Sequence, residues 1–243
     1  MVNFSFFQNG LIHTGLESTG MERSNGLPTT TKVEEPLGTY VNGSDAKIYW
    51  TNSYASIIGI MLNLESNKRP DISFAVHQCA QFTHNTNASH ETAVKRIYWY
   101  LQGTKNNGLV LNPSKKLVVD CYADADFSGP WGNENTQEPI CDRSRTVFVV
   151  TFSNCPLLLV SALQTDISIS KIHYEYVVLY HSVRAPLPLK ILMKEVIDNL
   201  VIDSEKLNFV SRSTVYEDND GAIVVATSTR ITPTSNHIAT RYH

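Results

Sequence analysis

The chain has 243 residues, 42% of them hydrophobic and 18% charged, and this composition is typical of an ordinary globular protein rather than a disordered one. The net charge of −3 excludes a generally basic protein that coats nucleic acid, so any nucleic-acid site has to be a local basic patch. The four cysteines are scattered and form no Cys-x-x-Cys pair, which argues against a zinc knuckle or a disulfide framework and fits a reducing compartment.

The sequence carries no segment that predicts export or membrane insertion. Its first residues lack the basic region and the apolar core of a signal peptide. The apolar run 156–163 is too short to span a bilayer. We therefore expect an intracellular protein, cytoplasmic or nuclear, without membrane contact.

The first half of the chain predicts a small helical segment. Residues 1–50 show little periodicity, and the stretch 17–45 is rich in Gly, Ser, Thr, Pro and Asn, as in a loop or linker. Three segments between residues 53 and 103 then carry apolar residues at helical spacing. Pro70 suits the first turn of the second of these helices.

The third helix has the clearest signals. Ser89 is the candidate N-cap and Gly103 closes the helix. His90 has no Cys or acid partner at metal-binding spacing, so a surface or cap role is expected. The predicted inner stripe consists of Ala93, Ile97, Tyr100 and Leu101.

After residue 107 the pattern changes to strands. Residues 108–127 predict a short strand, a polar hairpin turn at Lys115 and Lys116, and a second strand, and "RTVFVVTF" and "CPLLLVSAL" predict two more. Helical patterns follow over 171–184 and 187–200, and "STVYEDNDGAIVVATST" predicts a strand, a tight turn and a helix. This order of elements indicates a mixed α/β fold.

Acidic residues lie at the ends of these elements. Asp124 and Asp126 end the long strand, Glu175 lies one turn into a helix, and Asp218 ends a later strand. Sites form at such ends in open sheets, carboxylate oxygens suit Mg²⁺, and two such ions can clamp a phosphodiester. The alternative is a set of ordinary turn residues and a solvated glutamate without chemistry.

Several motifs carry a family resemblance. "SYASIIGIMLNLESNKRPDISFAV", "AVKR" and "YLQGT" resemble the region after the polymerase palm in copia-type LTR retrotransposon polyproteins. "DCYADADFSG", "SRTVFVV", "YEYVVL" and "VYEDNDGA" resemble the ribonuclease H domain of the same polyproteins. The similarity runs from about Phe6 to His243, and its specificity comes from the shared order and spacing of the motifs.

The resemblance implies a fold and an activity. Residues 1–110 would be the reverse transcriptase post-palm (thumb or connection) segment. Residues 111–243 would be a ribonuclease H-like domain with a mixed sheet and flanking helices. The family's catalytic, metal-binding acids fall on Asp124, Glu175 and Asp218, with two Mg²⁺ ions, or Mn²⁺ in their place, as cofactor. The implied reaction is hydrolysis of the RNA strand of an RNA–DNA hybrid.

Departures from the family pattern leave a second hypothesis open. The chain has no Tyr-x-Asp-Asp motif and no fingers or palm region, so we expect no polymerase activity, and the missing palm and fingers are a candidate partner. Leu159 and Ala162 stand where the family usually has a Trp and a basic residue, and Ala239 occupies a candidate position of a fourth acid. The alternative is a truncated, inactive remnant with a nucleic-acid-binding or structural role.

Four residues are candidates for nucleic-acid binding. Lys95 and Arg96 lie beside aromatic residues on the third helix, where they either contact phosphates or form a solvated face, the interpretation we favour. Ser144 and Arg145 begin a strand that the resemblance places near the hybrid.

Overall fold

The computed structural model describes residues 4–31, 37, 54–84, 86–126, 143–165, 170–199, 210 and 212–228. The chain divides into two compact units, Phe4–Val110 and the part that starts at Leu111. None of the helices within the described ranges is long and apolar enough to cross a membrane.

The N-terminal unit is mainly helical, and its three predicted helices are confirmed. The sequence did not predict its first helix or its small two-stranded sheet. The elements are β1 (Phe4–Phe6), α1 (Asn9–Thr19), α2 (Tyr54–Asn67), a 3₁₀ turn (Pro70–Ile72), α3 (Ser73–Ala80), α4 (Ala88–Gly103) and β2 (Leu109–Leu111), with β1 paired to β2.

The core of this unit packs α1, α2 and α4 together. Ile57, Met61 and Leu64 of α2 are fully buried in one cluster with Tyr98 of α4. Gly15 of α1 lies directly against that tyrosine, because a Cβ built on the glycine would lie 2.5 Å from Tyr98 Cε1. The close contact between α1 and α4 therefore requires glycine at position 15.

The start of α4 differs from the prediction. The N-cap is Asn87, not Ser89, because the Asn87 side-chain oxygen accepts hydrogen bonds from the backbone N–H groups of Ser89 (2.9 Å) and His90 (3.1 Å). His90 Nδ1 accepts the Asn87 N–H in return at 3.1 Å, so the expected cap role of His90 is confirmed. The buried face of the helix holds His90, Glu91, Val94, Ile97, Tyr98 and Leu101.

The C-terminal unit is a mixed sheet with flanking helices, which confirms the predicted mixed α/β class. Two helices follow three strands, and a short strand and a last helix come after them. The elements are β3 (Val119–Asp126), β4 (Arg145–Phe152), β5 (Cys155–Leu163), α5 (Lys171–Arg184), α6 (Pro186–Asn199), β6 (Val215–Tyr216) and α7 (Asp220–Thr227).

The sheet order is β5-β4-β3-β6, with β3–β4 and β4–β5 antiparallel and β3–β6 parallel. One face of the sheet carries Cys121 and Phe148. These side chains pack in one cluster with Ala185, which joins α5 to α6, and with Leu189 of α6. The predicted hairpin at Lys115 and Lys116 is wrong, because β2 pairs with β1 and not with β3.

Candidate metal centre

Strand pairing aligns the two candidate aspartates. In the parallel pair β3–β6, Cys121 lies opposite Val215 and Tyr122 lies opposite Tyr216. Asp124 comes two residues after Tyr122, and Asp218 comes two residues after Tyr216. Because side chains alternate along a strand, both aspartates lie on the same side as the tyrosines and at the same height along the two strands. The register therefore brings together two acids that are distant in the sequence.

Helix α5 supplies the third acid. The helix begins after Ser170, whose hydroxyl accepts the His173 N–H at 3.2 Å. Glu175 lies in the second turn, on a helix that packs against β3 and β4. Its side chain is only 2% exposed, so the carboxylate enters the unit rather than solvent.

The three carboxylates converge. One oxygen from each of Asp124, Glu175 and Asp218 lies within 4.8 Å of the others. Asp124 and Asp218 are exposed while Glu175 is buried, so the cluster opens to solvent on one side. Glu175 Oε2 is buried and has no hydrogen-bond partner among the described residues. This arrangement matches the three positions predicted from sequence, and their catalytic and metal-binding roles stay predictions.

The electrostatics of the cluster favour a cation. Burial raises the pKa of Glu175 to about 7, with the charges of Glu217, Asp124 and Asp218 adding to the rise and Lys171 opposing it. Carboxylates held this close disfavour one another's ionisation unless a positive charge is present. Hard divalent cations such as Mg²⁺ take such oxygen ligands.

The sequence interpretation missed one acid of this region. Glu217 precedes Asp218, and its Oε1 accepts the Asn219 N–H at 3.2 Å. Its Oε2 is buried without a partner in the described part of the chain. Burial, and next the charges of Asp218 and Asp124, raise its pKa although the bond from Asn219 opposes the change. The sequence shows two adjacent acids, Glu217 and Asp218, at the end of this strand. Only Asp218 matches the family pattern, so Glu217 was not selected.

Arg145 lies beside Asp126 rather than on the surface. The two residues are paired across β3 and β4, and Arg145 is 4% exposed. Its Nη1 donates to the backbone and side-chain oxygens of Ser161 at 3.4 Å. Burial lowers the pKa of Arg145, and the charge of Asp126 opposes this effect. Ser144 is fully buried as well, and a nucleic-acid role for both residues stays a prediction.

Lys95 and Arg96 have partners within the N-terminal unit. Lys95 Nζ lies 2.5 Å from Glu91 Oε1, one helical turn earlier. Arg96 Nη2 donates to Thr29 Oγ1 at 2.6 Å. Their proposed contact with nucleic acid also stays a prediction, and Ala239 lies outside the described residues.

Comparison with known proteins finds relatives among transposon polyproteins. A retrovirus-related Pol polyprotein from the tobacco (Nicotiana tabacum) transposon TNT 1-94 is 29% identical over 216 residues, which cover 89% of this chain and 14% of that protein. The Pol polyprotein from the Arabidopsis thaliana transposon RE1 is 35% identical over 114 residues, 47% of this chain and 8% of that protein. An uncharacterised mitochondrial protein of Arabidopsis thaliana is 30% identical over 142 residues, 58% of this chain and 55% of its own length.

The chain thus spans only 8 to 14% of the length of these two Pol polyproteins. No family model matches it. No solved structure matches it either. The alignment with the tobacco protein is long enough to include both units of the chain.

Proposed function

Since the chain belongs to the copia-type retrotransposon polyproteins, with Pol polyproteins of plant transposons as its homologues, we propose that its C-terminal unit is a ribonuclease H-like domain. The proposed reaction is hydrolysis of the RNA strand of an RNA–DNA hybrid. The convergence of Asp124, Glu175 and Asp218 within 4.8 Å carries this proposal. Ordinary turn residues have no reason to meet a buried helix glutamate at one point.

The donor set fits a divalent cation. Three carboxylates from two strand ends and one helix offer oxygen ligands only, and a buried oxygen of Glu175 lacks a protein partner. Asp124, Glu175 and Asp218 would hold Mg²⁺, with Mn²⁺ as a substitute. When bound, two such ions supply an activated water and a positive charge for the departing oxygen of a phosphodiester.

The three acids differ in solvent exposure, and their proposed roles differ accordingly. Asp124 and Asp218 face solvent, so a nucleic-acid backbone can approach them directly. Glu175 is shielded, and burial raises its pKa to about 7, so near neutrality a divalent cation would have to compete with a proton for this carboxylate. The 2′-hydroxyl and the A-like shape of the RNA strand would separate hybrid from duplex DNA.

The second candidate function is a non-catalytic hybrid-binding or structural role, and one observation favours its structural form. Lys95, Arg96 and Arg145 all bond to neighbouring protein groups. The net charge of −3 gives the chain no general electrostatic attraction for a polyanion. A polymerase palm and fingers region would be the natural partner to supply basic surface.

A cleavage assay tests the proposal. The full chain is incubated with Mg²⁺ and a hybrid labelled separately on each strand, beside the variants Asp124→Asn and Asp198→Asn. We expect cuts in the RNA strand only, leaving 5′-phosphate and 3′-hydroxyl ends. The rate should fall by about 100-fold or more in Asp124→Asn. Asp198 is an exposed residue of α6, so its variant should match the parent.

A folded parent that leaves the hybrid intact would contradict the nuclease proposal. Retained hybrid binding in that case would support the non-catalytic role. Equal cleavage by Asp124→Asn and the parent would move the activity away from this cluster.

A further inference from the structure

Helix α6 is apolar on its outer face as well as on its inner face. The inner face packs Leu189 into the cluster on the sheet and buries Ile197. The outer face carries four apolar side chains that are 40% to 61% exposed, here called the outer row: Leu187, Ile191, Leu192 and Val196. Single exposed apolar residues are ordinary, whereas a contiguous exposed patch marks an interaction site. A helix that is apolar all round is normally covered all round, so the outer row calls for a partner.

The spacing of the outer row is the same from either end. Ile191 comes four positions after Leu187, Leu192 follows directly, and four more positions lead to Val196. A two-fold axis perpendicular to the helix, between positions 191 and 192, sets Leu187 opposite Val196 of a second copy. The same axis sets Ile191 opposite Leu192. Every member of the outer row thus meets another apolar side chain when two copies of α6 pack antiparallel.

The charges along α6 agree with an antiparallel second copy. The same axis sets Glu195 opposite Pro188 of the second copy, in the first turn of the other α6. That turn holds no acidic residue of its own, and a carboxylate near a helix N-terminus is favourable. The two helix dipoles also run in opposite directions in this arrangement, which is favourable for neighbouring helices.

A membrane surface or a nucleic acid matches the charge of α6 less well. The helix has two basic and two acidic residues, so its net charge is zero: Lys190, Lys194, Glu195 and Asp198. A helix that lies on a membrane has a mainly basic polar face, and a contact with nucleic acid needs an excess of positive charge. The composition of α6 meets neither requirement, so the self-complementary outer row favours a second copy of the chain.

We propose that the chain forms a homodimer in which α6 packs antiparallel against α6 of a second copy, across a two-fold axis between positions 191 and 192. The inference is independent of the metal centre and of the proposed nuclease. Because α6 has 14 residues, one helix pair buries roughly 400 Å² per partner, half of a standard interface. The dimer should therefore be reversible, with a dissociation constant on the order of 10–100 µM.

Sedimentation velocity of the full chain over a concentration series tests the association. We expect the sedimentation coefficient of the parent to rise from the monomer value to the dimer value between about 1 µM and 1 mM. Ile191→Glu places an unpaired charge at the centre of the interface, so this variant should stay monomeric. Val224→Glu makes the same kind of change at a 65% exposed residue of α7 and should associate like the parent. Circular dichroism verifies the fold of both variants, and Leu192→Ser replaces Ile191→Glu if that variant does not fold.

Disulfide cross-linking tests the register of the two helices. A mixture of Leu187→Cys and Val196→Cys should form a cross-linked dimer under mild oxidation, because these positions face each other across the axis. Either variant alone should cross-link at the background rate, since its two introduced cysteines lie about 14 Å apart along the helix pair. The parent measures that background, and its described cysteines, Cys79, Cys121 and Cys155, are buried.

Three results would overturn the inference. A parent that stays monomeric up to about 1 mM would leave the outer row to a different protein or to a lipid surface. A dimer that forms equally well in folded Ile191→Glu would place the interface elsewhere on the chain. A mixture of the two cysteine variants that cross-links no faster than each variant alone would exclude the antiparallel register.

Discussion

The rings of Tyr122 and Tyr216 stack face to face, with centroids 4.7 Å apart and an angle of 11° between the ring planes. They are opposite residues of the parallel strands β3 and β6, and both are about half exposed. Each ring lies two residues before an acid of the cluster, Asp124 or Asp218. The stack therefore ties the two strands together immediately ahead of the carboxylates that they carry.

Removing one ring should loosen the end of β6. This strand has only two residues, so side-chain contacts matter more to it than backbone pairing. We expect Tyr216→Ala to lower the free energy of unfolding by about 1 kcal/mol, the usual contribution of an aromatic pair, and to weaken Mn²⁺ binding. Tyr216→Phe keeps the ring and should retain both properties. Urea denaturation and ion titration measure them, and an alanine variant that matches the phenylalanine variant would refute the role of the stack.

The metal-free protein should lose stability as the pH rises. The pKa of Glu175 is about 7 in the folded chain, above its ordinary value of 4.5, so the folded state holds this proton more tightly than the unfolded state. The protonated Glu175 carboxyl contributes its full stabilisation below about pH 4.5, and this stabilisation is lost as the pH rises through 7. At about 1.4 kcal/mol per pKa unit, the loss is at most about 3.5 kcal/mol.

Urea unfolding at pH 5 and pH 8 in the presence of EDTA measures this dependence. Glu175→Gln carries no titrating group at this position, so its stability should change less between the two pH values. At pH 8 it should exceed that of the parent. A parent as stable at pH 8 as at pH 5 would disagree with a raised pKa for this buried acid.

Divalent cations should stabilise the folded chain. An ion at 100 times its dissociation constant adds about 2.7 kcal/mol when it binds only the folded state. The rise in Tm with MgCl₂ should be larger at pH 8 than at pH 5, because protons compete for the same oxygens. It should be small in Asp124→Asn and unchanged in Asp198→Asn. Thermal scans with KCl at equal ionic strength are the control, and an equal rise in KCl would point to general screening.

Two glycines of α1 should respond oppositely to the same change. In Gly15→Ala the new Cβ would lie 2.5 Å from Tyr98 Cε1 and 2.6 Å from its hydroxyl, so the buried ring has to move. We expect a loss of about 1–3 kcal/mol. No atom lies within 4 Å of the corresponding position at Gly10, so Gly10→Ala should be neutral or stabilising by up to about 1 kcal/mol. Urea denaturation compares the two, and equal stabilities would contradict the close packing of α1 on α4.

Local patterns predicted the elements that local chemistry determines. Helix α5 has the predicted bounds, Lys171 to Arg184, because Ser170 can cap it and its apolar residues recur at helical spacing. Strand β4 is also as predicted, since its β-branched and aromatic residues favour an extended chain. Family resemblance then selected the three acids that the fold brings together.

The sequence predictions failed where contacts between distant parts of the chain determine the structure. Helix α1 has a weak pattern of its own, and its contacts with α2 and α4 come from residues far along the chain. The partner of β2 is β1, more than 100 positions earlier, and no local signal reveals that pairing. Glu217 was missed because its charge acts on Glu175 only when β6 and α5 meet, and no local pattern marks that contact.

The pairing of β3 with β6 has a consequence for the order of folding. Thr214 donates its N–H to Asp120 Oδ1 at 3.0 Å and accepts the Cys121 N–H at 2.9 Å, across 94 positions of sequence. Strands β3, β4 and β5 can form early as local hairpins, whereas closure of so long a loop is slow. A chain still being synthesised thus carries Asp124 and Glu175 without Asp218. Its affinity for divalent cations should appear only at the last pairing event, so that ion capture marks the completion of folding.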